Sequence, residues 1–180
     1  VGVCGEVDRN QFLPRNGAKI GDSIYVSGTL GIAKLGLKVI KSKKKALNSK
    51  EKKYRNKFLK PKIHTELGKN LRGIANSCID ISDGLIGDLG HICKQSNLGA
   101  KIFFDLIPHE GSFKDALTWG DDYELCFTVP KHKETQLDEV FKRVKIKKYR
   151  IGEITNEKGI KIFQGAKEIH LNRKSYNHFK

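Results

Sequence analysis

The amino-acid sequence predicts an α/β (α+β) fold, in which helices cover one mixed β-sheet within a single domain spanning residues 1–180. Three observations support this prediction. Short segments with alternating apolar residues interleave with longer segments whose apolar residues recur at helical spacing, as in a sheet covered by helices. The 180 residues are enough to enclose one hydrophobic core. No internal repeat indicates a solenoid.

The first half of the chain is predicted to begin with strands and to continue with helices. Strands are expected at 1–7 and 23–28, with a glycine-marked loop between them. Apolar residues three and four positions apart predict helices over 29–40 and 62–75. Segment 41–60 separates these helices and is predicted to be a solvated, lysine-rich connection.

The second half alternates between strand and helix patterns. Residues 77–81 form a short apolar strand pattern, and a helical pattern over 83–96 follows it directly. The remaining predicted elements are strands at 100–106, 123–129 and 145–152, a helix at 133–144 and a hairpin at 159–171.

The net charge of +15 is concentrated in segment 41–60, which holds ten Lys or Arg residues and one Glu. Such a charge is typical of proteins that bind nucleic acids or other anions. The segment has only Tyr54 and Phe58 as aromatic residues, and no RNA-binding motif is present. We therefore do not expect nucleic acid as the partner, although an anion-binding role for this segment stays open.

Several function classes are excluded or disfavoured by composition. No run of apolar residues is long enough to cross a membrane, and the first ten residues lack the pattern of a signal peptide. We therefore expect a cytoplasmic protein with no membrane contact. The four cysteines form no CxxC pair and have no zinc-ligand spacing, so buried structural thiols are predicted.

The sequence "DISDG" places three oxygen-bearing side chains at the junction of a strand and a helix. In an extended strand Ile79 and Ile81 face one side, while Asp80 and Ser82 face the other. Asp80, Ser82 and Asp83 at a helix start suit a magnesium-bridged phosphate, because Mg²⁺ prefers hard oxygen ligands. The alternative is an ordinary helix cap, with Ser82 or Asp83 as the capping residue beside a surface aspartate.

A second acidic motif, "TWGDDYELCF", precedes an apolar strand. Asp121 and Asp122 repel each other, which is tolerable at a surface or near a cation. Trp119 offers a stacking face and Tyr123 a hydroxyl group. An ordinary acidic turn explains the motif equally well.

A third motif, "PRNGAKIGD", sets Arg15 beside glycines, which suits the approach of a phosphate.

Taken in order, these motifs resemble one known family over nearly all 180 residues. The segments "RNGAKIGDSIYVSGTLGIAKLGL", "IANSCIDISDGLIGDLGHI", "GDDYELCFTVP" and "IGEI", with a terminal "YNHF", resemble the C-terminal domain of thiamine-monophosphate kinase. That family belongs to the aminoimidazole-ribonucleotide-synthetase-like superfamily. The resemblance implies transfer of the γ-phosphoryl group of ATP to thiamine monophosphate, with ATP and Mg²⁺ at the site.

The resemblance also implies roles for individual residues. Asp80 and Asp83 correspond to Mg²⁺ ligands, Ser82 and Arg15 to nucleotide contacts, and Asp121 to a substrate-contacting acid. It implies no catalytic nucleophile, because phosphoryl transfer depends on positioning and charge neutralisation.

The sequence departs from the family in three respects. The family's N-terminal domain, with its acidic motifs, most of its ATP and metal ligands and its homodimer interface, has no counterpart here, so we expect the chain alone to be nearly inactive. The family's "WKGYDHF" is "RKSYNHF", which places Arg173 at the substrate-stacking position. Trp119 stands where the family has Gly, and we hypothesise that it replaces the lost stacking face.

Two other functions remain as alternatives at this point. One is another ATP-using enzyme of the same superfamily. The other is a non-catalytic, basic remnant that binds nucleic acid through residues 41–60.

Overall fold

The structure, a computed structural model, describes residues 2, 4–8 and 11–171 of the chain. Within these residues the strands are β1 (Ser23–Val26), β2 (Ser77–Asp80), β3 (Gly99–Phe103), β4 (Leu125–Val129), β5 (Tyr149–Thr155), β6 (Gly159–Gln164) and β7 (Lys167–Ile169). The helices are α1 (Ile32–Lys41), α2 (Ser49–Leu59), α3 (Thr65–Leu71), α4 (Leu85–Ser96), α5 (Phe113–Thr118) and α6 (Glu134–Val144). Short 3₁₀ turns follow β3 and β4.

All seven strands belong to one sheet with the order β2-β4-β1-β5-β3-β6-β7. Among the strands of the described residues, β3 and β6 are parallel, and the other pairs are antiparallel. The sheet is therefore mixed, which confirms the predicted fold class. Strand β2 lies at one edge and pairs with β4, so the two acidic motifs leave the sheet from neighbouring strands.

The sheet carries a separate hydrophobic cluster on each face. Ile24 and Val26 contribute to one cluster, and Tyr25 between them contributes to the other, because successive strand residues point to opposite faces. Helix α4 covers the first cluster, whereas α3 and α6 cover the second. Each fully buried side chain of Leu or Ile size contributes about 1.5–3 kcal/mol to these clusters.

The lysine-rich segment contains a helix that the sequence did not predict. Helix α2 begins with a capping box, in which the Asn48 side chain accepts from Glu51 N and the Glu51 carboxylate accepts from Asn48 N. It packs against α1, where a Cβ atom on Gly36 would lie only 2.3 Å from the Tyr54 carbonyl oxygen. The segment is therefore an ordered part of the domain, with Tyr54 buried.

Two other sequence predictions were wrong. Residues 2 and 4–7, the described part of the strand predicted at 1–7, do not form a strand, and α5 lies in a stretch for which no element was predicted. The predicted helix over 62–75 is shorter and corresponds to α3.

Cys93 and Cys126 are buried free thiols, as predicted, while Cys78 is partly buried. Among the described residues, no helix is long and apolar enough to span a membrane.

Candidate functional site

The two acidic motifs lie side by side because the pairing of β2 with β4 continues past the strand ends. The N–H of Ile81 donates to the Glu124 carbonyl oxygen over 2.7 Å, and the N–H of Tyr123 donates to the Ile81 carbonyl over 2.9 Å. One step further, the N–H of Asp121 donates to the Ser82 carbonyl over 3.1 Å. The predicted motifs are thus one surface, joined by backbone hydrogen bonds.

Two glycines allow these backbones to touch. A Cβ atom on Gly120 would lie 1.7 Å from the Ser82 carbonyl oxygen, well inside any tolerated contact. A Cβ atom on Gly84 would lie 2.7 Å from the Thr118 carbonyl carbon, and Gly84 has a φ of +106°. Glycine is the residue that adopts such a backbone at least cost. Neither motif can approach the other in this way with a larger residue.

The turn of the second motif has an unusual backbone. Asp121 has φ +66° and Tyr123 has φ +50°, both in the left-handed region that non-glycine residues rarely adopt. Such conformations cost on the order of 1 kcal/mol or more each and cluster at functional sites. The surrounding contacts therefore have to hold this turn in place.

The start of α4 is held by Asp88 and not by a cap from the "DISDG" side chains. Gly84 is the N-cap residue, and no side chain caps it. One carboxylate oxygen of Asp88 accepts from the N–H groups of Ser82 and Asp83, each over 3.0 Å. Burial raises the pKa of Asp88 to about 6, although the two hydrogen bonds lower it. The alternative that Ser82 or Asp83 caps the helix was therefore wrong.

Tyr123 experiences the charge of three carboxylates of the two motifs. Partial burial raises the pKa of this phenol, and the negative charges of Asp121, Asp80 and Asp83 raise it further. Tyr123 is 39% exposed, and the three aspartates are partly buried. As expected from the strand pattern, Ile79 and Ile81 are buried beneath them.

These carboxylates do not by themselves form a complete metal cage. Across the described ranges, no group of three or more His, Cys, Asp or Glu side chains is arranged to hold a metal ion. The donor atoms nevertheless fit Mg²⁺, which takes one or two carboxylates and completes its octahedron with phosphate oxygens and water.

Asp122, the other acid of the pair, has a different role from its neighbour. It is buried, and its carboxylate accepts from the N–H groups of Gly31, over 2.6 Å, and Ala33, over 3.0 Å. These groups lie at the start of α1, so Asp122 caps a helix remote in sequence. Burial raises its pKa to about 6. The two adjacent acids are therefore separated, with one inside the domain and one at the site.

A buried polar cluster lies behind the turn at Glu124. The Glu124 carboxylate accepts from the Ser27 hydroxyl over 2.7 Å and contacts Lys57 Nζ at 2.5 Å and His64 Nε2 at 2.9 Å. Burial would raise the pKa of Glu124, but the contacts with His64, Lys57 and Ser27 lower it to about 2. Gly28 leaves room for the carboxylate, since a Cβ atom there would lie 2.6 Å from Glu124 Cδ.

Comparison with known proteins identifies the family. Residues 19–165 match the family of the AIR synthase related protein, C-terminal domain. The chain belongs to this family. The sequence is also 38% identical over 191 aligned positions to thiamine-monophosphate kinase of Escherichia coli (strain K12), covering 99% of this chain and 59% of that protein. It is 41% identical over 189 residues to the same enzyme of Buchnera aphidicola subsp. Schizaphis graminum, covering 98% and 58%.

A solved structure has a closely similar fold over most of this chain. AaThiL complexed with AMPPCP and TMP matches with a TM-score of 0.79 and 28% identity, covering 94% of this chain and 55% of that one. The predicted resemblance to thiamine-monophosphate kinases is thereby confirmed. The chain spans little more than half the length of the relatives it matches.

Within this AIR synthase related domain, Trp119 has one ring face already covered. Lys34 Nζ lies 3.1 Å from the ring centroid, a cation–π contact. The indole N–H is buried and has no hydrogen-bond partner among the described residues. Only the opposite ring face is left for the substrate stacking that we hypothesised.

The structure does not bring the Arg15 main chain to the carboxylates. The Arg15 carbonyl oxygen accepts from the Ser96 hydroxyl over 3.5 Å at the end of α4, whereas Asp83 lies before its start. A helix of 12 residues is about 18 Å long. The exposed Arg15 side chain therefore extends from the far end of α4, and its nucleotide contact stays a prediction. Arg173 lies outside the described residues.

Sequence reasoning missed the roles of Asp88, Asp122 and Glu124. Only Asp88 had a local signal, because an acid in the first turn of a helix is well placed to bind preceding N–H groups. Asp122 and Glu124 act on partners 91 and 67 residues away, Gly31 and Lys57, which no short pattern reveals.

Proposed function

We propose that this chain is the C-terminal domain of a thiamine-monophosphate kinase, which transfers the γ-phosphoryl group of ATP to thiamine monophosphate and forms thiamine diphosphate. The two relatives described above are thiamine-monophosphate kinases, and the structure of AaThiL was solved with AMPPCP, an ATP analogue, and TMP. The observation that carries the proposal is the backbone pairing of the two acidic motifs, which sets Asp80, Ser82, Asp83 and Asp121 on one surface.

In this proposal Asp80 and Asp83 hold Mg²⁺ together with phosphate oxygens. Their carboxylates supply the hard oxygen donors that Mg²⁺ prefers, in a number that leaves room for phosphate and water. The ion, when bound, neutralises charge on the phosphoryl groups. Because the acceptor is itself a phosphate, such neutralisation offsets the repulsion between donor and acceptor.

The residues of this chain act by positioning. Ser82 is the proposed nucleotide contact, and its N–H is fixed by Asp88. Asp121 is the proposed contact to thiamine monophosphate, and its left-handed turn is fixed by the hydrogen bond to Ser82. We assign Arg15 to the nucleotide and Arg173 to the substrate, as the resemblance implies. No covalent intermediate is required.

Further parts of this proposal concern the rest of the protein. An N-terminal domain with additional acidic metal ligands and a homodimeric assembly belong to it, as does a cytoplasmic location. The competing idea of nucleic-acid binding by segment 41–60 is weakened because four of its lysines form ion pairs with carboxylates of this chain. These pairs are Lys44 with Glu51, Lys50 and Lys53 with Glu110, and Lys57 with Glu124.

Calorimetric titration of the full-length protein with AMPPCP, with and without Mg²⁺, tests the proposal. We expect Asp80→Asn and Asp83→Asn each to weaken the magnesium-dependent component of binding by about ten-fold, since each removes a charged ligand. Glu139→Gln is the matched control, because Glu139 is an exposed acid on α6, away from the site. Equal affinities in all three variants and the wild type would refute the assignment.

A further inference from the structure

The Glu124 cluster connects the candidate site to the lysine-rich helix α2. Lys57 is the point of connection: its side chain is only 17% exposed, and its ammonium lies 2.5 Å from a Glu124 carboxylate that is itself 8% exposed. The neighbouring lysines of α2 with described partners, Lys50 and Lys53, reach Glu110 at the surface instead. Lys57 is therefore distinguished from them by burial and by its partner.

The main chain of Glu124 is hydrogen-bonded to the main chain of the "DISDG" loop. Its carbonyl oxygen accepts from Ile81 N, and the residue before it, Tyr123, returns a hydrogen bond to Ile81 O. Glu124 is also the residue at which the chain leaves the left-handed turn and approaches β4. A displacement of Glu124 consequently moves the turn at residues 121–123 relative to the "DISDG" loop.

Two other side chains also contact the Glu124 carboxylate: Ser27, directly after β1, and His64, at the start of α3. The Ser27 hydroxyl donates to the carboxylate and accepts from Leu125 N over 2.9 Å. His64, at the start of α3, is buried and lies 2.9 Å from the second carboxylate oxygen, Oε2. Neither group carries a permanent charge, so Lys57 is the constant counter-ion of this buried carboxylate.

We propose that Lys57 is a positioning residue: through the buried Glu124 carboxylate it holds the turn at residues 121–123 against the "DISDG" loop. Helix α2 is thus a brace for the site and more than a charged surface segment. Its register is set by the close approach of Gly36 to Tyr54 and by the hydrogen bond from Tyr54 to Glu110. The effect of Lys57 on enzyme kinetics rests on the proposed function, whereas its effect on the stability of the turn at residues 121–123 does not.

Amide hydrogen exchange of the chain tests the structural consequence. In Lys57→Met we expect the N–H groups of Tyr123 and Ile81 to exchange about ten-fold faster, while the remote N–H of Ile154, bonded to Asp22 O, keeps its rate. Lys57→Arg retains the charge and should restore slow exchange. The matched control Lys52→Met removes an exposed lysine of the same helix and should change none of these rates.

Two results would overturn the proposal. Unchanged exchange at Tyr123 in Lys57→Met shows that the pair does not hold the turn, and equal acceleration at Ile154 shows only a loss of global stability. If Lys57→Met does not fold because the Glu124 charge is left unpaired, the double variant Lys57→Met/Glu124→Gln removes both charges. The same local acceleration is expected there, and its absence refutes the proposal.

Kinetics of the full-length protein then test the functional consequence. We expect Lys57→Met to raise the KM for thiamine monophosphate by about ten-fold and to change the KM for ATP by less than about two-fold, because the brace acts on the turn that carries Asp121. A wild-type protein without this activity would refute the proposed function and leave the exchange result to decide the role of Lys57.

Discussion

The carboxylate of Asp122 lies 2.6 Å from the amide nitrogen of Gly31 and caps helix α1 from a motif that is 91 residues away in sequence. This buried contact divides the pair Asp121-Asp122 into a buried structural acid and a partly buried acid at the site. It also fixes the "GDDYE" turn to the body of the domain.

Removing this cap should destabilise the fold. Asp122→Ala leaves two buried N–H groups without an acceptor, and such groups cost about 1–3 kcal/mol each. We expect the free energy of unfolding in urea to fall by about 2–4 kcal/mol. Asp121→Asn is the neighbouring control and should change stability by less than about 1 kcal/mol, because Asn tolerates the left-handed backbone. Equal losses in both variants would contradict the division of roles.

The pH dependence of stability should carry the signature of Glu124. Its folded-state pKa is about 2, below the ordinary value of 4.5, so its contribution is present above pH 4.5 and is lost as the pH falls towards 2. We expect wild-type protein to lose on the order of 2–3 kcal/mol more than Glu124→Gln between pH 5 and pH 2.

Urea unfolding of both proteins across this range measures the difference. Asp88 and Asp122 act in the opposite sense: their pKa values rise from 3.8 to about 6 on folding, so their contribution to stability is fully present below pH 3.8 and is lost as the pH rises to about 6. Parallel stability curves for wild type and Glu124→Gln at acid pH would refute the assignment to Glu124.

The contact between Gly120 and the Ser82 carbonyl predicts a severe effect of a single methyl group. In Gly120→Ala the new Cβ atom would lie 1.7 Å from a backbone oxygen that has no freedom to rotate away, so the two motifs must separate. We expect a loss of at least about 3 kcal/mol of stability. The emission of Trp119, the single tryptophan of the chain, should shift because it adjoins the contact.

Gly68→Ala is the matched control for this substitution. Gly68 lies within α3, has no atom within 4 Å of an added Cβ and has no positive φ. Alanine there should stabilise the chain by about 0.5–1 kcal/mol, as in an ordinary helix interior. Similar thermal denaturation of both variants would show that the contact at Gly120 is not limiting.

The sequence predicted those parts of the fold and site that follow from local periodicity. The burial of Ile79 and Ile81, with Asp80 and Ser82 on the other face, follows from the two-residue pleat. What it did not predict depends on partners remote in sequence: the Asp122 cap and the Glu124–Lys57 pair join segments 91 and 67 residues apart. Their residue types gave no signal, because an acid before a strand and a lysine among lysines are ordinary at a protein surface.

Trp119 gives a prediction about the recognition of the acceptor. If the ring face of Trp119 opposite Lys34 replaces the lost family aromatic, Trp119→Gly should weaken binding of thiamine monophosphate by about five-fold, the value of one aromatic contact. Trp119→Phe keeps a ring and should stay within about two-fold of wild type. Calorimetric titration of the full-length protein measures both, and unchanged affinity in Trp119→Gly rejects the hypothesis.

The last prediction concerns the activity of the 180-residue chain by itself. The described residues supply Asp80 and Asp83 but no group of three metal-binding side chains, so the charge on two approaching phosphates is only partly neutralised. Removing such electrostatic stabilisation typically costs 10²–10³-fold in rate or more, on the order of 3 kcal/mol for each lost contact. We therefore expect the phosphotransfer rate of this chain alone to be at least about 10³-fold below that of the protein joined to an N-terminal metal-binding domain. Comparable turnover of the two in the same assay would show that the carboxylates of the paired motifs are sufficient.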